Sequence, residues 1–213
     1  GSSTLFGMKM KASRITTNSG CLTINGSSCG TGHLSQGVYL DNYSVVSSTG
    51  VGNVTIAGTA ANGIRGVEII RNSCVTSNSG SLTINGTSCG TGAGSSGVHL
   101  YNSTNLSSTG SGNVTITGTT PGNVTGGIGI NSISSGDRIA SNGGLITLNA
   151  NSVNLTGTVN ATTAGDVVIQ LGDNKVLDMM SYMKALSKFT KGSETIVKVK
   201  RDKEILDYKV LFQ

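Results

Sequence analysis

The sequence predicts a mainly β protein: a right-handed parallel β-helix of about five rungs, three strands per rung, with a partial α+β domain formed by the two chain ends. Three observations predict it. SGCLTINGSSCGTG at 19–32 returns as SGSLTINGTSCGTG at 79–92, and a fixed period of this size marks a solenoid or repeat array. Apolar and polar residues alternate in short runs, the period of a strand with one buried face. Finally, 32 Gly, one Pro and abundant Ser, Thr and Asn supply the turns that many short strands need.

The elements follow in order. Residues 1–13 hold an N-terminal strand that is assigned to the end domain, and residues 14–163 hold the coil. Its first column reads Leu22-Thr23-Ile24, Val54-Thr55-Ile56, Leu82-Thr83-Ile84, Val114-Thr115-Ile116 and Ile146-Thr147-Leu148, so the true unit is about thirty residues. A second column reads Val38-Tyr39-Leu40, Val67-Glu68-Ile69, Val98-His99-Leu100 and Ile128-Gly129-Ile130, and a shorter third runs through Ile15, Val45, Val75, Leu106 and Ile139. One coil cannot bury enough apolar surface to offset the ordering of its own backbone, whereas stacked coils close the core from above and below. A β-sandwich with a repeated hairpin is the competing architecture. The unchanged order of the three columns favours the β-helix.

From residue 164 the texture changes. Val167 to Leu171 and a short strand precede Met179, Tyr182, Met183, Leu186 and Phe189 at helical spacing, with Asp178 placed for the helix start and Lys188, Lys191 and Gly192 for its end. Val197 and Val199 alternate with Lys198 and Lys200, RDKE turns, and Leu206, Tyr208, Val210 and Phe212 return. All five Met, all three Phe and every Lys lie before residue 12 or after residue 174. That shared vocabulary assigns both ends to one domain interrupted by the coil, or to a splice of two sources, natural or engineered.

The net charge of +5 does not make a phosphate track. Residues 14–163 carry Arg14, Arg65, Arg71 and Arg138 against Asp41, Glu68 and Asp137, and residues 164–213 mix both signs. Nucleic acid is therefore excluded as a partner. No run of about 18 apolar residues spans a membrane. The opening Gly1-Ser2-Ser3 resembles an expression scar, as does the final VLFQ, so a missing signal peptide is not informative.

The middle resembles the repeats of large secreted bacterial exoproteins of the filamentous-haemagglutinin type, on SGSLTINGTS, GTGAGSSGVHLYNS and SSTGSGNVTITGTT. The resemblance covers about 150 residues and implies a secreted or cell-surface, adhesin-like role. The tail, on AGDVVIQLGDNKV, YMKALSKF and KVKR, is similar to the second half of a bacterial PDZ domain of the kind found with secreted zinc aminopeptidases. That resemblance implies capture of a peptide C-terminus in a groove. Leu5, Phe6, Gly7 and Met8 match its carboxylate loop, with Met180 and Met183 on the groove helix. The central segment of that family is absent, and the coil stands in its place.

Tyr39, Asp41, Glu68, His99 and Tyr101 gather on the outward face of the second column. They are the candidate surface for a glycan or protein partner. Ordinary β-propensity on a solvent face is the competing reading, and the sequence slightly favours it. Catalysis is not expected, since glycoside cleavage needs two carboxylates at a defined separation and only Asp41 and Glu68 are near one another. The H-E-x-x-H pattern of a zinc protease is missing. The Thr23, Thr55, Thr83, Thr115 and Thr147 column resembles an ice-binding rank, but a plain β-branched ladder explains it better. Cys21, Cys29, Cys74 and Cys89 form no C-x-x-C pair, so they are read as buried free thiols, with no metal and no cofactor.

Overall fold

A computed structural model describes residues 5–30, 35–90, 94–121, 127–161, 167–176, 179–201 and 204–212. Asp178, and Asp202 and Lys203 of the expected turn, lie outside the described residues. The chain divides into two compact units, Gly1–Thr163 and Ala164–Gln213.

The first unit consists of three parallel sheets. Sheet A holds β1 (Phe6–Lys11), β4 (Gln36–Asp41), β7 (Arg65–Ile70), β10 (Ser96–Tyr101), β13 (Ile128–Ser132) and β16 (Val153–Leu155). Sheet B holds β2 (Arg14–Thr17), β5 (Val45–Ser48), β8 (Cys74–Ser77), β11 (Asn105–Ser108), β14 (Arg138–Ser141) and β17 (Thr158–Ala161). Sheet C holds β3 (Leu22–Ser28), β6 (Val54–Ala60), β9 (Leu82–Ser88), β12 (Val114–Thr119) and β15 (Ile146–Ala150). The chain visits A, B and C in turn, giving three strands per coil. The result is a parallel β-solenoid of about four turns, the number of steps between the five strands of sheet C.

The first column falls in the expected register, Leu22 to Val54 to Leu82 to Val114 to Ile146. The other two need correction. In sheet B the inward residue of the second coil is Val46, which pairs with Ile15 and Val75 and is fully buried. Val45 instead pairs with Arg14 and Cys74 on the other face, because a one-residue shift inverts every side chain of a strand. In sheet A, Val98 pairs with Ile130, not Ile128. Gly129 explains the shift of two. It continues the column Gly37, Gly66, Gly97, which lies against Gly26, Gly58, Gly86 and Gly118 of sheet C so closely that a Cβ would strike backbone across the gap. The inward residue is the one following that glycine.

The expected split of 1–13 from the coil also differs. β1 pairs in parallel with β4, Phe6 to Gln36 and Met8 to Val38. Met10 joins the aliphatic core with Met8 packed against it, so this strand completes a coil of the solenoid. The core is the single stack of Val, Ile and Leu between the sheets, with Leu40, Ile56, Ile69, Ile84, Leu100 and Ile116 fully buried. At the corner after sheet A, the buried Asp137 carboxylate accepts from the Thr104 amide and hydroxyl at 3.0 Å each, from the Ser132 hydroxyl at 3.0 Å and from the Ser134 amide at 3.2 Å. That satisfies a turn which sits inside the stack.

The second unit is an antiparallel sheet in the order β19 (Asn174–Lys175), β18 (Val167–Leu171), β20 (Glu194–Arg201), β21 (Glu204–Leu211), with α1 (Met179–Leu186). Leu171 and Ala185 are buried, and Phe189 stacks on Phe212 with ring centres 5.0 Å apart. The helix stops at Leu186, three residues short of Phe189, whose ring is taken up by that stack. Among the described residues no helix is long and apolar enough to cross a membrane.

Candidate binding groove

Sheet A places one residue of each coil in a single outward row: Lys9, Tyr39, Glu68, His99, Asn131 and Asn154. Pleating forces this, since Val38, Leu40, Val67, Ile69, Val98 and Leu100 take the inward positions. At the usual strand separation the row runs about 24 Å along the stack. Tyr39, Asp41, Glu68, His99 and Tyr101 all meet on this face.

The face is not a solvated one. Glu68 and Asp41 are each 3% exposed, His99 4% and Tyr39 9%, while Tyr101 is half-exposed at 46%. Phe6, Lys9, Gln36, Arg65, Arg71 and Ile70 join Tyr39, Glu68, His99 and Tyr101 around a groove of about 430 Å3, with Asp41 beside it. The Phe6 and Tyr39 rings stack 5.2 Å apart, and the Lys9 ammonium lies 4.3 Å from the Phe6 ring centre and 5.5 Å from that of Tyr39, within cation–π range.

Two charge clusters occupy the floor. Arg65 pairs with Glu68 Oε1, and Gln36 Nε2 donates to Glu68 Oε2 at 2.5 Å. Arg71 Nε meets Asp41 Oδ1 at 2.9 Å and its Nη2 donates to the Tyr39 hydroxyl at 3.4 Å. Burial raises the Glu68 carboxyl above its ordinary value, against the opposing pull of Arg65 and Gln36. Burial likewise raises the Tyr39 phenol, opposed by the Arg71 hydrogen bond. His99 is pushed down to about 3 by burial, with a further contribution from Arg65, and is therefore neutral near pH 7.

Three polar atoms in this groove are buried without a hydrogen-bond partner: Gln36 Oε1, Arg65 Nε and His99 Nδ1. Orphaned groups of this kind call for a ligand or another specific explanation. Comparison with known protein families, curated proteins and solved structures finds no match. The site is therefore read from its own chemistry.

The residues expected to form a peptide groove belong partly to each of the two units. Phe6, Gly7 and Met8 lie in β1, and Leu5 is tied to the solenoid through Leu5 N to Ser35 Oγ at 3.1 Å and Gln36 N to Leu5 O at 3.1 Å. A Cβ on Gly7 would strike the Ser27 backbone. These amides hold a sheet rather than a free carboxylate cradle. Met180 and Met183 lie exposed on α1 in the other unit.

Gln36, Arg65, Arg71 and Asn131 were missed by sequence reasoning, and Phe6 was assigned to a peptide loop instead. Gln36 and Arg65 each stand one residue before a column glycine, Gly37 and Gly66, as Phe6 does before Gly7, and that signal marks a groove-lining residue in these three strands. The sheet C threonines do align, Thr23 to Thr55 to Thr83 to Thr115 to Thr147. All four cysteines are free, but Cys21, Cys29 and Cys89 are exposed and Cys74 half-buried, which corrects the expectation of burial. Those three stand at strand ends, outside the inward columns. No group of His, Cys, Asp and Glu among the described residues is fit to hold a metal ion.

Proposed function

We propose that this chain is a noncatalytic, adhesin-like binding module of the bacterial cell surface or secreted space, whose ligand face is the sheet A groove. One observation carries the reading: Gln36, Arg65 and His99, each with a buried polar atom that has no hydrogen-bond partner, line the same groove as the stacked Phe6 and Tyr39 rings. The repeats' likeness to exoproteins supports the location. The coil is read as right-handed on the general rule for parallel crossovers.

Absence of catalysis is argued from the carboxylates. Both Glu68 oxygens are engaged by Arg65 and Gln36, and Asp41 faces Arg71, so neither is free to pass a proton to a bound substrate. Labelled protein is expected to bind cultured cells or extracellular matrix saturably and to release no new reducing ends. A Tyr39→Ala, His99→Ala, Tyr101→Ala triple variant should bind at least about tenfold more weakly. Equal binding by both proteins, or turnover of matrix polysaccharide, would overturn the proposal.

A further inference from the structure

We infer that the groove takes an uncharged, polyhydroxylated chain, an oligosaccharide lying along the solenoid axis across Tyr39, Glu68 and His99. This rests on the groove being a binding face, and it assigns the ligand's chemical class. Gln36 Oε1 can only accept and Arg65 Nε only donate, whereas neutral imidazole offers a donor or an acceptor at Nδ1 according to tautomer. A hydroxyl both donates and accepts, so a run of hydroxyls satisfies all three. A carboxylate or sulfate accepts only, and leaves Gln36 Oε1 without a donor.

Charge points the same way. Glu68 and Asp41 are already matched by Arg65 and Arg71, and the Lys9 ammonium rests on the Phe6 and Tyr39 rings. The two buried carboxylates are thus paired while Lys9 stays exposed at the rim, so an ionic group buried on the floor would carry a desolvation cost without a dedicated counter-charge there. The apolar faces of sugar rings match the remaining surface, with the Phe6–Tyr39 stack at one side and the half-exposed Tyr101 two coils on. Direction follows from register. Phe6, Gln36, Arg65 and Ser96 are successive partners, as are Tyr39, Glu68 and His99, so the contacts repeat along the stack and favour an extended ligand over a compact one.

The test uses the intact protein on an immobilised panel of neutral hexose oligomers, uronate oligomers and sulfated oligomers. Retention is expected on neutral oligomers, rising with chain length, and insensitive to a tenfold rise in salt, as screening acts only on charge. Tyr101→Ala, at a half-exposed site that tolerates truncation, should weaken retention about tenfold. Gln36→Met, checked for an unchanged unfolding midpoint, should do the same, and Thr115→Ala on sheet C should leave it unchanged. Retention only of uronate or sulfated oligomers, or unchanged binding by Tyr101→Ala, overturns the inference. Cell binding lost in the triple variant with no oligosaccharide retained overturns the sugar assignment alone. Cell binding by the triple variant equal to that of wild type, with no oligosaccharide retained, overturns the binding-face reading with it.

Discussion

At the scale of single residues, the informative positions are polar groups that the sheet takes out of water. His99 is outward by pleat yet nearly fully buried, and its pKa of about 3 sets a linkage with a definite sign. Because the folded value lies below the ordinary value near 6.5, the unfolded chain binds a proton that the folded chain refuses. Stability is therefore fully present above about pH 6.5 and is lost as pH falls toward 3. Glu68, raised in the fold, works the other way, since acidification relieves its buried charge. Comparing wild type with His99→Asn isolates the histidine. Urea unfolding between pH 6.5 and 4 should show wild type losing about 1 kcal/mol per pH unit relative to the variant, and parallel curves would contradict it. That His99, Glu68 and Tyr39 share a face is legible from alternation alone. Their burial is not, because it depends in part on Gln36 and Arg71, which reach Glu68, Asp41 and Tyr39 from neighbouring coils.

At the scale of elements, glycine fixes the register that the aliphatic pattern leaves ambiguous. Val45 and Val46 are equally apolar, so alternation cannot choose between them, and Ile128 and Ile130 pose the same problem. The close approach of the two glycine columns resolves the second case: Gly97 lies against the Gly118–Thr119 backbone, and Gly129 occupies the equivalent place one coil on. Gly97→Ala should therefore destabilise the solenoid by about 3 kcal/mol, at the upper end of overpacking costs. Gly20→Ala, whose added Cβ meets only the Thr17 hydroxyl at 3.2 Å, should cost under about 1 kcal/mol. Comparable losses in chemical unfolding would place the sheets farther apart than described here. The same ladder logic explains the aligned sheet C threonines without invoking a ligand, since each pairs with its neighbour across a strand.

At the scale of the whole molecule, the parallel coil was legible because a thirty-residue period repeats its three columns in order. The assignment of both chain ends to one domain was not, because it rested on shared Met, Phe and Lys usage. Met8 and Met10 serve the first coil's core, where unbranched side chains suit an end with fewer packing constraints. The tail stands as its own compact unit. The central claim is that ligand meets the protein on sheet A. Its most direct test is an NMR titration of the intact chain with the neutral oligosaccharide best retained on the panel. Shifts should concentrate in the Gln36 side-chain amide, the His99 ring and the Tyr39 and Tyr101 rings, with the sheet C threonines unmoved. Shifts confined to α1 and the strands after residue 164, or no saturable shifts at all, would contradict it.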